Sequence, residues 1–266
     1  MKTHPSFGFH KYHGAGNDFI LLDQRTEQVI DLADEGLIGL LCDRHFGIGA
    51  DGLIALQTAA DFDFEMKYYN ADGREGSMCG NGGRCAVAFA HLIGIRKKQY
   101  RFLAVDGPHE AIIGENGWVE LKMGDVRAVE TGAGFYFLNT GSPHYVRFVE
   151  DVNAVNVVEE GRRVRYNDRF RAEGTNVNFV VEEGHGIAVA TYERGVEDET
   201  LSCGTGITAS AIAAWLKKGG QAGGEARIPV RAKGGNLEVR FRKTEQGFSD
   251  IWLCGPTQLV FEGKVE

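Results

Sequence analysis

The chain has 266 residues, enough for one large domain or two of ordinary size, and 43% of them are apolar, enough for full cores. Its net charge is −8 with no long run of one sign, which argues against nucleic acid as a partner, and no stretch approaches the length of a membrane span. Five cysteines, an odd number without a framework spacing, go with free thiols and a reducing compartment, so a cytoplasmic location is expected.

The opening residues carry no apolar core of a leader. The first glycine-rich turn is His13-Gly14-Ala15-Gly16-Asn17-Asp18-Phe19. Leu37, Leu40 and Leu41 then recur at helical spacing and predict a helix over 31–45. A second glycine cluster, Gly47-Ile48-Gly49-Ala50-Asp51-Gly52, follows. Alternation over 62–68 predicts a strand. The polar loop Tyr69-Asn70-Ala71-Asp72-Gly73 leads into Cys79-Gly80-Asn81-Gly82-Gly83 and a small-residue helix over 80–93. Short strands are expected at 117–123 and 145–149, with Gly141-Ser142-Pro143-His144 just ahead of the latter. Next come Gly174-Thr175-Asn176-Val177-Asn178-Phe179, an alternating strand over 186–192, Glu193-Arg194-Gly195 and a loop over 196–200. Cys203-Gly204-Thr205-Gly206 opens a second small-residue helix over 204–218, closed by Lys217-Lys218-Gly219-Gly220. Strands over 237–241 and 250–253 complete the reading.

The two Cys-Gly-x-Gly segments stand 124 positions apart in similar surroundings, each after an alternating strand and a polar loop. Tyr68 and Tyr192, Glu75 and Glu199, and Cys79 and Cys203 coincide without gaps at that offset. The glycine clusters at 49–54 and 174–179 also resemble each other, one residue out of step. This pattern predicts an α+β fold: two pseudo-symmetric lobes from an internal duplication, each with a central helix, and a cleft between them. The lobes would be 1–127, completed by 257–266, and 128–256.

A cysteine at a helix start sits at the positive end of the helix dipole, which favours the thiolate. The glycines beside it leave backbone N–H groups open to a carboxylate. A carboxylate held there would bring its α-carbon close to sulfur. Two such thiols suit proton removal from one face of a carbon and proton return to the other. Cys42, Cys85 and Cys254 read as small core residues instead. No Cys-x-x-Cys or His-x-x-x-His spacing suggests zinc, so no metal is expected. Three other readings remain open: a racemase acting on proline or hydroxyproline, a thiol redox protein, and a non-catalytic amino-acid binder.

Taken in order, these motifs are highly specific together, and the chain resembles the diaminopimelate epimerase family over nearly its whole length. The resemblance implies a strongly curved, mainly antiparallel sheet around each central helix. It implies a cofactor-free exchange of LL- and meso-diaminopimelate in lysine and peptidoglycan synthesis, with Cys79 and Cys203 as the acid/base pair. Gly80, Asn81, Gly204 and Thr205 would then hold the reacting carboxylate through backbone N–H groups. Asn17, Asn70, Asn176 and Arg194 would grip the far amino-acid end. Glu193 would face an ammonium group, and His144 would lie near a catalytic thiol. Each also has a plainer reading: Asn17 and Asn70 suit glycine-rich turns, Glu193-Arg194 an ordinary surface pair, His144 a turn histidine. The chain departs from the family at Ser142, at Gly52 where a glutamine is frequent, and in a loop over 196–200 one residue longer than common. Diaminopimelate is the expected partner, and a homodimer is an expectation that no residue pattern decides. Two facing thiols would also be liable to a reversible, inactivating disulfide.

Overall fold

The computed structural model describes residues 6–114, 117–220 and 224–266, so the opening residues 1–5, read above for a leader, lie outside it. The chain divides into two compact units, Met1–Leu121 with Pro256–Glu266, and Lys122–Gly255. That divide falls a few residues ahead of the 127/128 boundary suggested by the repeat.

In the first unit, β1 (Phe7–Gly14) and β2 (Asn17–Asp23) form a hairpin. Its two-residue turn has positive φ at both positions, 53° at Ala15 and 84° at Gly16, the conformation whose twist matches paired strands. Helix α1 (Glu35–Cys42) carries the chain to β3 (Gly52–Gln57), parallel to β2, and β4 (Phe64–Asn70) returns antiparallel to β3. Helix α2 (Gly80–Leu92) crosses to β5 (Gln99–Ala104), parallel to β4, and β6 (Gly107–Ile113) and β7 (Val119–Lys122) follow antiparallel.

The second unit repeats this plan. Strands β8 (Val129–Gly132), β9 (Phe135–Asn139) and β10 (Pro143–Phe148) are antiparallel neighbours. Helix α3 (Val157–Arg165) leads to β11 (Asn176–Glu183), parallel to β10, and β12 (Gly186–Glu193) returns antiparallel. A short strand β13 (Asp198–Thr200) and helix α4 (Gly204–Lys217) precede β14 (Glu225–Ala232), parallel to β12. Strands β15 (Gly235–Thr244) and β16 (Gly247–Gly255) close the unit antiparallel. Finally β17 (Gln258–Val265) pairs antiparallel with β1 in the first unit. It stands to β1 as β8 stands to β9, so the plans of the two units match, with β13 and a short 3-10 helix at Val152–Ala154 as additions in the second. Parallel pairings fall at the two helical crossovers of each unit, and the other pairings described above are antiparallel, which makes the sheets mainly antiparallel.

The central helices are built from small residues because both are covered on every side. In α4 each residue from Gly206 to Ala214 is buried, and in α2 Asn81 to Val87 are buried in succession. Helix α4 touches β9, β10, β11, β12, β14 and β15. Six strands laid flat would span about 24 Å, twice the width of a helix, so the sheet curls around it. Thr208 and Ser210 are tolerated inside because each hydroxyl donates to the carbonyl four residues back, Gly204 at 3.0 Å and Gly206 at 2.7 Å. The inner core of the first unit includes Phe64 stacked on Phe102 at 5.0 Å, each fully buried, which stabilises by roughly 2–3 kcal/mol per ring.

The outer helices cover the other sheet face. On α1, Ile38, Leu41 and Cys42 join Ile20, Leu22, Leu53 and Ala55. On α3, Val157 joins Val177, Phe179, Ala190 and Tyr192. Helix α1 is shorter than the 31–45 expected from leucine spacing. The Asp34 carboxylate caps it by accepting from Leu37 N at 2.9 Å. Asp43 ends it by turning extended and accepting from His45 N and Phe46 N at 2.7 and 2.8 Å. Leu40, counted in the apolar face from its spacing, is 53% exposed. The 196–200 segment, read as loop, contains β13, which pairs with β12.

Candidate active site

Cys79 and Cys203 occupy the same place in the two units. Each is the extended residue that caps a central helix, Cys79 at φ −103°, ψ 122° and Cys203 at φ −112°, ψ 110°. Neither side chain takes the usual capping bond. The first-turn N–H groups of a helix have no acceptor within the helix, so both Cys-Gly-x-Gly segments carry N–H groups suited to an anion. All five cysteines are free thiols. Burial pushes Cys42 up to about 11 and Cys85 higher still, which leaves those two inert.

In the first unit, the β1–β2 turn delivers Asn17 to Cys79, and the Asn17 Oδ1 atom lies 3.4 Å from Cys79 Sγ. Asn81 Nδ2 donates to the same oxygen at 3.3 Å, and Arg84, fully buried, donates to Asn81 Oδ1 at 2.8 Å. On its other side Asn17 Nδ2 donates to Asp51 Oδ2 at 2.7 Å. Asp51 also accepts from Arg44 at 2.8 Å, and Arg44 and Lys11 both pair with Asp18. Burial alone would raise the Asp18 carboxyl, but the two cations hold it far below the usual carboxylate range. Asn70 ends β4, exposed, and accepts from the Tyr68 hydroxyl at 3.1 Å. The Tyr68 ring stands where a side chain at Gly52 would go: a Cβ there would meet it at 2.6 Å. The loop before Cys79 turns at Gly73, φ +89°, where a Cβ would come within 2.0 Å of Glu35 O.

In the second unit, alternation along β10 and β11 turns His144 and Asn178 toward α4, while Tyr145, Val177 and Phe179 face α3. His144 is fully buried, its Nε2 lies 2.8 Å from Thr205 Oγ1, and Thr205 Oγ1 lies 3.5 Å from Cys203 Sγ. Its Nδ1 meets Asn178 Nδ2 at 3.0 Å. Burial, reinforced by the charge of Arg194, lowers the His144 pKa to about 3, so the imidazole is neutral. Gly206 is obligatory here, since a Cβ would come within 2.4 Å of Asn178 Oδ1.

Asn176 is occupied by the protein. Its Nδ2 donates to Ser142 Oγ at 2.9 Å and Pro143 O at 3.1 Å, and its Oδ1 accepts from Arg194 N at 2.9 Å. Arg194 is exposed, donating to Glu173 O at 2.8 Å and Ser142 Oγ at 3.4 Å, and Glu193 beside it is half-buried. Ser142 thus ties the start of β10 to Asn176 and Arg194. Glu197 anchors the long loop by accepting from the Tyr166 and Tyr192 hydroxyls at 2.8 and 2.7 Å.

Of the residues singled out in the sequence, Asn17, Cys79, Gly80 and Asn81 form one group, while Asn70, at the end of β4, contacts Tyr68. His144, Cys203, Gly204 and Thr205 form a second, with Asn176 and Arg194 joined through Ser142. Asp51, Arg84 and Asn178 belong to these networks and were not singled out as site residues. Asp51 and Asn178 do sit in quoted motifs, and Arg84 directly follows Cys79-Gly80-Asn81-Gly82-Gly83, where a charged residue inside an otherwise small and apolar helix is the signal. Among the described residues, no group of three or more His, Cys, Asp or Glu is placed to hold a metal ion.

The family model for diaminopimelate epimerase matches residues 9–129 and 136–260. A diaminopimelate epimerase of Flavobacterium psychrophilum is 48% identical over 254 residues, covering 95% of this chain and 98% of the relative. Those of Chlorobaculum tepidum and Aquifex aeolicus are 43% and 40% identical, covering 95% and 97% of this chain and 98% and 97% of theirs. Among solved structures, a Bacillus anthracis phenazine biosynthesis protein of the PhzF family aligns with a TM-score of 0.78 at 13% identity, covering 98% of this chain and 99% of its own. A hydroxyproline epimerase from Agrobacterium vitis aligns with a TM-score of 0.67 at 15% identity, covering 100% and 92%. At these identities the two structures are similar in fold alone.

Proposed function

Since the chain belongs to the diaminopimelate epimerase family, we propose that it interconverts LL- and meso-2,6-diaminopimelate in lysine biosynthesis by moving one α-proton between two thiols. The observation that carries the two-thiol part is the repeated placement of Cys79 and Cys203 as the caps of the buried central helices. One thiolate removes the α-proton, and the other thiol protonates the opposite face of the carbon; in reverse the roles exchange. The atoms balance, because each turnover moves one proton onto one sulfur and one off the other. The N–H groups at Gly80, Asn81, Gly204 and Thr205 bind the reacting carboxylate and stabilise the carbanion that forms at its α-carbon. No cofactor is required for that chemistry.

The far amino-acid end calls for one cation, one anion and neutral amides. Arg194, Glu193, Asn70, Asn17 and Asn176 supply those types. Asn176, whose amide is bound to Ser142, Pro143 and Arg194 N, contributes by holding the Arg194 segment in place. The five free thiols support a cytoplasmic location. Consecutive exposed Leu259, Val260 and Phe261 on β17 support a homodimer, which sedimentation would test.

The test is incubation of the reduced, metal-free enzyme with LL-diaminopimelate, followed by chromatographic separation of stereoisomers. Formation of the meso isomer, lost in both Cys79→Ser and Cys203→Ser, is expected. No conversion, or turnover of proline or hydroxyproline instead, would overturn the assignment.

A further inference from the structure

The hydrogen-bond networks behind the two thiols point in opposite senses. Asp51, with its carboxylate, only accepts, so the Asn17 atom facing it at 2.7 Å must be the amide nitrogen. Arg84 only donates, so the Asn81 atom facing it at 2.8 Å must be the carbonyl oxygen, which turns the Asn81 amide nitrogen toward Asn17. Both constraints, arriving from opposite sides, leave the Asn17 oxygen facing Cys79 Sγ at 3.4 Å. A carbonyl oxygen receives an S–H and repels a sulfur anion.

Behind Cys203 the order is reversed. Asn178 Oδ1 accepts from Thr191 at 3.0 Å, and Asn178 Nδ2 donates to Tyr145 O at 3.3 Å. The atom that meets His144 Nδ1 at 3.0 Å is therefore a donor. The neutral imidazole accepts at Nδ1 and carries its proton on Nε2, directed at Thr205 Oγ1. The threonine hydroxyl, accepting from histidine, has its own proton to give to Cys203 Sγ at 3.5 Å. Such a donor chain favours a sulfur anion, and each bond strengthens the next.

We infer that in the ligand-free enzyme Cys79 rests as the thiol and Cys203 as the thiolate, with Asp51, Asn17, Asn81 and Arg84 positioning the first and Asn178, His144 and Thr205 positioning the second. The assignment rests on the two-thiol reading above. It makes Cys203 the base for the isomer bound first and Cys79 the acid. Among the charged groups nearby, the fully buried Arg84 cation works against this sense by favouring an anion at Cys79, and the amide oxygen in contact with the sulfur is inferred to outweigh it. Arg44, Lys11 and Asp18 pair among themselves and with Asp51. The Cys85 thiol is fully buried and neutral, and Arg194 reinforces the neutrality of His144.

The test is alkylation of the reduced, ligand-free, full-length enzyme with iodoacetamide from about pH 5 to about pH 10. Each thiol is quantified separately by peptide mass spectrometry, and the midpoint of each pH profile is read, since absolute rates also follow exposure. The expected result is a Cys203 midpoint below that of Cys79. Asn17→Ala, which removes the acceptor, should lower the Cys79 midpoint by on the order of one pH unit and leave Cys203 in place. Thr205→Val, which removes the donor, should raise the Cys203 midpoint alone. A wild-type Cys79 midpoint at or below that of Cys203 overturns the assignment, whatever the variants do. So does a Cys79 midpoint unmoved in folded Asn17→Ala. Isomer conversion is read separately: conversion with Cys79 ionising first would reject the resting states and keep the function, and no conversion with Cys203 ionising first would do the opposite.

Discussion

Burial holds the His144 imidazole neutral, with a pKa of about 3 in place of an unfolded value near 6.5. The unfolded chain therefore binds the extra proton across that interval and the folded chain does not. Stability from this group is complete above about pH 6.5 and is lost as the pH falls toward 3, by up to roughly 4 kcal/mol. Urea titrations at a series of pH values should show the unfolding midpoint dropping over this range, and His144→Gln should flatten that limb. At the thiols, Cys79→Ser and Cys203→Ser should each lower kcat about 100-fold or more with an unchanged circular dichroism spectrum. The sequence singles out these two cysteines because their surroundings recur. It does not single out Asp51, Arg84 or Asn178. Arg84 orients Asn81, three residues before it, but the pairings that set the sense of each network run far along the chain, Asp51 to Asn17 and Asn178 to His144 over 34 residues and Asn81 to Asn17 over 64. Such pairings leave no local pattern.

Periodicity located both central helices to within a residue, since glycine, alanine and the flanking lysines mark their ends. It overran α1 at both termini, because the carboxylates of Asp34 and Asp43 bond to nearby N–H groups and set its limits more tightly than leucine spacing. It also missed β13, whose residues Asp198, Glu199 and Thr200 are polar and gain strand structure only from pairing with β12. The turn at Gly73 is an element whose geometry forbids any side chain. Gly73→Ala would force an L residue into φ +89° and drive its Cβ to 2.0 Å from Glu35 O. We expect a loss of roughly 2–4 kcal/mol, visible as a fall of several degrees in Tm.

The duplication was legible from two Cys-Gly-x-Gly segments and a shared offset, and the last residues were expected to complete the first lobe, but not the strand with which they would pair. Strand β17 gives β1 the partner that β9 receives from β8, and so completes the first unit with residues from the far end of the chain. Phe261 packs edge-on against Phe9 at 5.9 Å. Ending the chain after Gly255 should leave β1 with one bare edge and an uncovered apolar face, lower Tm, and raise binding of a hydrophobic dye. An unchanged Tm would mean that the first unit closes without it. The proposed two-thiol proton transfer is tested most directly by proton NMR of LL- and meso-diaminopimelate in D2O with the reduced enzyme. Solvent deuterium should replace the α-proton as the isomers interconvert, and both Cys79→Ser and Cys203→Ser should lose the interconversion. Full interconversion by either single variant, or an α-proton signal that persists with the wild type, would contradict the account.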